Sequence, residues 1–174
     1  DLATMDWTLL SVTSPPSVRA GHAMASQKNS GRVLLFGGYD NDNNNLNDTW
    51  TFDQTTNVWT KVDTKSTAPP ARYGHAMAAL GDDGRVLLFG GQDDTQLFGD
   101  TWTFDPTTRQ WTENTNSTVS PSARVYHAMA TMGVDKNVLL FGGSTGSITS
   151  ETWKYDHQTS QWTQVTTTPT LSSP

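Results

Sequence analysis

The sequence predicts an all-β chain of three similar four-stranded units, on three observations. Gly31-Arg32-Val33-Leu34-Leu35-Phe36-Gly37-Gly38 recurs verbatim at 84–91 and returns as Asn137-Val138-Leu139-Leu140-Phe141-Gly142-Gly143. Asp48-Thr49-Trp50-Thr51-Phe52-Asp53 recurs verbatim at 100–105 and returns as Glu151-Thr152-Trp153-Lys154-Tyr155-Asp156; a Trp-Thr pair then closes each unit at Trp59, Trp111 and Trp162. Equivalent residues lie 51 to 53 positions apart, a period that marks a repeat architecture. Thr and Ser make up 43 of the 174 residues, and 7 Trp stand beside runs of Val, Phe and Tyr, a composition that fits strands better than helices.

Within the first unit the strand signals fall at His22 to Ser26, Arg32 to Phe36, Thr49 to Phe52 and Val58 to Val62. The second, Val-Leu-Leu-Phe, does not alternate and is expected to be buried on both faces. The third alternates, with Trp50 and Phe52 on one face and Thr49 and Thr51 on the other. The fourth is mixed and polar, as suits an outer strand. Asp53-Gln54-Thr55-Thr56-Asn57 and Asp105-Pro106-Thr107-Thr108-Arg109 are rich in turn formers and read as hairpin connections. The Gly pair after each Phe marks positive φ or a close backbone approach.

A fourth copy of the closing pair, Trp7-Thr8, stands 52 residues before Trp59. Residues 1–12 are therefore expected to be the outer strand of a preceding unit. The three full units then run 13–63, 64–115 and 116–166, followed by a Thr/Ser/Pro-rich tail at 167–174. The start has no basic residue and no apolar core, so it does not read as a signal peptide. The tail reads as an extended linker or stalk and favours an extracellular or cell-surface setting over a cytoplasmic one.

Charge and composition narrow the function. With 17 acidic and 11 basic residues the net charge is −6, unfavourable for nucleic acid or an anionic membrane. No apolar run nears the roughly 20 residues of a membrane-spanning helix. The absence of Cys excludes disulfides, thiolate metal sites and a cysteine nucleophile.

Units of this length with Leu-Leu-Phe-Gly-Gly, then Asp-Thr-Trp-x-Phe/Tyr-Asp, then Trp, three times in order, resemble the kelch repeat of β-propellers. The resemblance spans residue 7 to about residue 165. It implies blades arranged radially around a channel, used most often to bind proteins. Closed propellers use about four to eight blades, so three blades imply part of a six- or seven-bladed ring. A smaller group of similar proteins are secreted enzymes resembling galactose oxidase. Their copper site uses a Tyr–Cys crosslink, which this chain cannot form.

A residue present in every unit is expected to hold the blade together, since a catalytic group is needed once. Arg19, Arg72 and Arg124, with His22, His75 and His127, can satisfy backbone carbonyls beside the Gly pairs; the alternative is a cationic ring or a three-His metal site. Asp48, Asp100 and Glu151 are expected to accept hydrogen bonds at strand ends rather than to act as acid and base. The Gly pairs do not form a dinucleotide fingerprint or a P-loop. Asp40-Asn41-Asp42-Asn43-Asn44-Asn45 has the oxygens of a calcium loop but lacks its Gly and Glu positions, and reads as a solvated loop. Asn47 and Asn116 head glycosylation triplets.

Function is therefore sought in what does not repeat. The candidate partner-binding residues are Tyr39, Asp40, Asp42, Asn43, Tyr73, Gln92, Asp93, Asp94, Phe98, Tyr126, Ser144 and Thr145, because exposed Tyr and Asp/Asn loops on a rigid scaffold suit binding. The expected function is a non-enzymatic binding or scaffold module, with no catalytic, cofactor or metal residue assigned. A protein or glycan would bind through the loops, and other blades, in cis or from a second chain, would cover the ends. The alternatives are a segment of a secreted carbohydrate-active or oxidase-like propeller, and a structural surface or filament repeat.

Overall fold

The structure is a computed structural model and describes residues 7–64, 68–133 and 135–166. It holds three antiparallel sheets, each meandering in chain order. The first contains β1 (Ala23–Gln27), β2 (Arg32–Phe36), β3 (Thr49–Asp53) and β4 (Val58–Val62). The second contains β5 (Ala76–Leu80), β6 (Arg85–Phe89), β7 (Thr101–Asp105) and β8 (Gln110–Glu113). The third contains β9 (Ala128–Thr131), β10 (Val138–Phe141), β11 (Thr152–Asp156) and β12 (Gln161–Gln164). No helix occurs among the described residues. β2 and β4 match their expected bounds, while β1 starts one residue later than the sequence reading and β3 ends one later.

The first strands of the sheets lie side by side, β1 against β5 and β5 against β9, so the units are blades stacked face to face about a common inner edge. Each hairpin is tied by its own turn chemistry. The Asp53, Asp105 and Asp156 carboxylates accept backbone N–H bonds two residues on. Asn57, Arg109 and Ser160 then take left-handed φ values of 56°, 59° and 58° at the bend.

Two apolar seams form the core. Between the first two blades Ala25, Leu34 and Phe36 meet Met77, Val86, Leu88, Phe104 and Trp111. Between the second and third, Ala78, Leu80, Leu87 and Phe89 meet Val138, Leu140, Trp153, Tyr155 and Trp162. The same staple closes both seams. Phe36 sits edge-on to Trp111 at 5.3 Å, and Phe89 to Trp162 at 5.3 Å. The Trp111 indole donates across the seam to Thr49 Oγ1 at 3.0 Å, and Trp162 to Thr101 Oγ1 at 2.9 Å. The Gly38 N–H donates to the Arg72 carbonyl, and the Gly91 N–H to the Arg124 carbonyl. Edge-on aromatic packing adds about 0.5–1.5 kcal/mol to the area buried.

The first glycine of each pair is needed for this approach, and the second for packing within its own blade. Gly90 and Gly91 have φ of 67° and 96°, and a Cβ would lie 2.6 Å from the Arg124 carbonyl and 2.9 Å from that of Tyr73, respectively. Gly99 has no positive φ; its Cβ would meet Ala123 N at 3.1 Å.

Burial follows the stacking. β5 and β6 of the middle blade are buried almost throughout, and β8 is exposed towards its end. The outer blades differ. Phe36 and Phe89 are fully buried, but Phe141 is 54% exposed, and Trp50 and Trp102 are only half-buried. Burial of all three Phe was expected; Phe141 departs because no fourth blade lies against it among the described residues. Of the stretch expected to be a preceding outer strand, residues 7–12 form no strand and Trp7 is fully exposed. A lone outer strand has no sheet to join. Thr13 instead bridges to the free edge of β4 at Val58. The stretches 1–6 and 167–174, and so the tail, lie outside the described residues.

Truncating Phe89 to Ala is expected to cost about 3–5 kcal/mol, whereas Phe141→Ala should change stability by about 0.5 kcal/mol or less. Urea unfolding of both variants checks this, and equal losses would contradict the seam assignment. Gly90→Val and Gly91→Val should lower the thermal midpoint far more than Gly99→Val, measured by circular dichroism.

Candidate functional site

The repeated arginines Arg19, Arg72 and Arg124 and their acidic partners Asp48, Asp100 and Glu151 gather at the end of the blades that carries the β2–β3 type loops and the connections between blades. Arg72 is fully buried and grips Asp100 through two bonds, Nη1 to Oδ1 at 2.6 Å and Nη2 to Oδ2 at 2.7 Å. Nη1 also donates to the Gly90 carbonyl at 2.9 Å and Nε to the Pro70 carbonyl at 3.1 Å. The Trp102 indole donates to the same carboxylate at 2.7 Å. Arg19–Asp48–Trp50 repeats this arrangement, with Arg19 also on the Gly37 carbonyl. Arg124–Glu151–Trp153, with Arg124 on the Gly142 carbonyl, repeats it again. Arg19 and Arg72 grip both carboxylate oxygens, the strong forked form of the ion pair, while Arg124 makes a single bond to Glu151. The arginines thus satisfy the carbonyls beside the Gly pairs, and the acidic residues serve as strand-end acceptors.

Burial alone would raise the Asp48 pKa, but hydrogen bonds from Arg19 and Trp50 outweigh it and hold the group below its ordinary value. Hydrogen bonds from Arg124 and Trp153 do the same for Glu151.

The histidines lie beside the carbonyls before the Gly pairs, as expected, but packing dominates their environment: the Phe36 and Phe89 carbonyls favour the protonated rings of His75 and His127 only weakly against burial. The ring nitrogens of His75 and His127 make no well-aligned hydrogen bond, though each ring lies near the carbonyl of Phe36 or Phe89. They stack edge-on to Phe36 and Phe89, both at 5.6 Å, and fill the space beneath the Gly pair of the preceding blade. Desolvation, with Arg72 adding repulsion, pushes His75 down to about 3; desolvation and Arg124 push His127 down to about 4. His22, with no blade before it among the described residues, is lowered less strongly by desolvation and by Arg19. His75 and His127 are neutral packing groups, His22 is exposed, and the three stand on separate blades. Among the described residues no group of three or more His, Asp or Glu side chains is placed to hold a metal ion.

The residues that do not repeat surround the inner edge at this end. Tyr39 meets Tyr73 edge-on at 5.3 Å. These two, with Asn43, Asn45, Asp94 and Tyr126, line a cavity of about 280 Å³. An adjoining concavity of about 520 Å³ shares Tyr73 and Asp94 and adds Gln92, Asp93 and Thr95. Gln92 Nε2 donates to the Tyr73 hydroxyl at 2.6 Å. The Asp40 carboxylate accepts from the N–H groups of Asp42 and Asn44 and from the Asn44 amide. It therefore organises its own loop, and the bond from Asn44 keeps its pKa low. Asp93 orders the second loop similarly through Thr95 and Gln96.

Eight of the twelve candidate residues thus line or support this mouth or its neighbour: Tyr39, Asn43, Tyr73, Gln92, Asp93, Asp94 and Tyr126 directly, and Asp40 as loop anchor. Asp42 is exposed on the first loop. Ser144 and Thr145 lie on the third blade's own loop, where Ser144 bridges to Val125. Phe98 belongs elsewhere. It is buried, with the Arg72 guanidinium 4.0 Å above its ring, and so serves the ion pair.

Asn45 lay outside the candidate set, and the backbone conformation of Tyr126 was not anticipated. Asn45 lines the cavity, and its buried Oδ1 accepts no hydrogen bond. Tyr126 occupies the place of Gly21 and Gly74. All three have left-handed φ, at 60°, 66° and 66°, and the Tyr126 N–H bonds the Gly74 carbonyl as the Gly74 N–H bonds that of Gly21. The signal was in the sequence: Arg-x-Gly-His in two units, Arg-x-Tyr-His in the third.

Comparison with known proteins agrees with the repeat. The family profile described as the KLHDC2/KLHL20/DRC7 Kelch-repeats domain matches residues 1–174. The chain is 30% identical to acyl-CoA-binding domain-containing protein 5 of Arabidopsis thaliana, over 95% of this chain and 25% of that protein. It is 30% identical to Kelch domain-containing protein 2 of Bos taurus, over 85% of this chain and 36% of that protein. The flagellar outer-arm dynein alpha chain of Chlamydomonas reinhardtii is also 30% identical, over 79% of this chain and 3% of that protein. The chain thus spans about a third or less of each relative's length.

Buried neutral histidines make stability pH-dependent in a definite direction. The unfolded chain takes up protons on His75 and His127 as pH falls below about 6.5, while the folded chain resists them down to about 3 and 4. Stability should therefore be full above pH 6.5 and decline between 6.5 and 4. Urea unfolding at pH 7.5, 6 and 5 checks this. His75→Phe and His127→Phe should flatten the slope between pH 6.5 and 5, where carboxylates barely titrate; an unchanged slope would contradict the assignment. Asp100→Ala, which leaves a buried guanidinium without its carboxylate, should cost about 3–5 kcal/mol.

Proposed function

The chain belongs to the kelch-repeat family, and on that premise we propose that it is a non-enzymatic protein-binding module whose partner docks on the mouth formed by Tyr39, Tyr73, Tyr126 and the loops beside them. Kelch repeats generally mediate protein–protein interaction. One observation carries the more specific reading. The repeated arginines and carboxylates at this end are held within the frame, while most of the candidate residues that vary meet at one concave, tyrosine-rich surface. Rigid tyrosines on a preorganised mouth supply contact area at small entropic cost.

We further propose that the three blades form part of a larger ring. Both seams use the same staple, and the two outer faces each carry half of one. The first blade presents His22 and the Trp59 indole. The third presents Phe141, Thr152 and the Gly143 N–H. None of these has its seam partner among the described residues. An exposed apolar blade face of this kind is adhesive, and repeat arrays need their ends covered.

Replacing 39–45 and 92–97 with the 144–149 sequence should abolish capture of any partner bound by the unaltered chain, with little change in thermal midpoint. Retained capture would place the partner on another surface. The chain by itself should associate at micromolar concentration in sedimentation velocity, and Phe141→Asp should reduce that association.

A further inference from the structure

The binding mouth has a chemistry of its own, and from it we infer that it takes a cationic side chain, a lysine or arginine carried by a protein partner. This rests on the loop-face reading above and deepens it.

No Lys or Arg lines either concavity. The arginines at this end, Arg19, Arg72 and Arg124, are turned inward and held by Asp48, Asp100 and Glu151, so they offer nothing to an anion in the mouth. Negative charge and acceptors are what remain. Asp94 lines both concavities and forms no hydrogen bond or ion pair among the described residues. Asn45 lines the cavity, and its Oδ1 is buried with no donor supplied by the protein. Such an acceptor costs free energy until a donor arrives, and an ammonium or guanidinium is all donor. Three tyrosines complete the wall, and a cation over an aromatic face gains about 0.5–2 kcal/mol.

Tyr126 gives a second, independent reason. It is held at φ 60° where the other two units have glycine, and it is 67% exposed. A bulky residue in this region is strained, and its ring covers no core. Strain that brings no packing in return marks a residue kept for its side chain. The ring stands over Gly74, where a Cβ would lie only 3.0 Å from it. Tyr126 is thereby aimed at the same cavity as Tyr39 and Tyr73.

The test is calorimetric titration of the full chain with acetylated, amidated tetralysine, with tetraglutamate and a Gly-Ser tetrapeptide capped in the same way. Tetralysine should bind and the other two should not. Tyr126→Gly and Asp94→Asn should each weaken tetralysine at least five-fold. Tyr126→Gly should leave the thermal midpoint unchanged or raised, which a structural role for the ring would not allow. Asp83→Asn, at the opposite end of the second blade, should leave binding unchanged. Equal weakening by Asp83→Asn and Asp94→Asn, or no effect of Tyr126→Gly, would reduce the binding to diffuse charge attraction and overturn the inference. Failure of tetralysine to bind would overturn it too. Binding of tetraglutamate or the neutral peptide, lost in Tyr126→Gly, would overturn the cation while leaving the mouth as the binding surface. The loop replacement described above decides the mouth itself independently.

Discussion

Everything in this chain depends on how closely one blade can approach the next. At each seam a glycine N–H reaches the carbonyl of an arginine in the following blade, at 2.9 Å from Gly38 and 2.8 Å from Gly91. The glycine just before each, Gly37 or Gly90, makes that distance possible, since a Cβ there at left-handed φ would lie 2.7 or 2.6 Å from the same carbonyl. The approach drives Phe36 or Phe89 into the pocket made by the next blade's Trp and His. It also brings Trp111 and Trp162 within reach of threonine hydroxyls on the preceding blade. Backbone bond, aromatic contact and indole bond are three consequences of one geometry, and a side chain added at the glycine would disturb all of them together.

The ion pairs follow from the same packing. Closing the blades traps the guanidinium of Arg72 away from water, and a buried cation is tolerable only with a well-placed anion. Asp100 supplies it two residues before Trp102, where the carboxylate also receives the indole N–H. Fixing charge inside the frame has a functional result. The repeated cations are unavailable to a ligand, and the mouth is left to tyrosines, amides and Asp94.

Much of the site was legible in the sequence because repetition separates frame from surface. Asp48, Asp100 and Glu151 recur and turn out to be structural acceptors; Tyr39, Tyr73 and Asp94 do not recur and line the mouth. The rule failed for Phe98. It has no repeat partner yet lies under Arg72, since a single-copy aromatic can be drawn inward by a buried cation. The histidines recur as the rule requires, but their packing role was not visible. Whether an imidazole hydrogen-bonds or stacks depends on what the neighbouring blade puts beside it.

The sequence by itself determined the elements, their order and the face each side chain takes, because strand alternation, turn residues and paired glycines are local properties. Tertiary structure alone decided how deeply each residue is buried. Val-Leu-Leu-Phe appears in all three units, yet Phe36 and Phe89 are fully buried and Phe141 is 54% exposed. The inner strand Ala-Met-Ala shows the same thing, with Met77 buried and Met24 45% exposed. Identical segments make identical strands. Solvent is excluded only where a second blade arrives, and that arrival is a matter of stacking, which no residue encodes within its own unit.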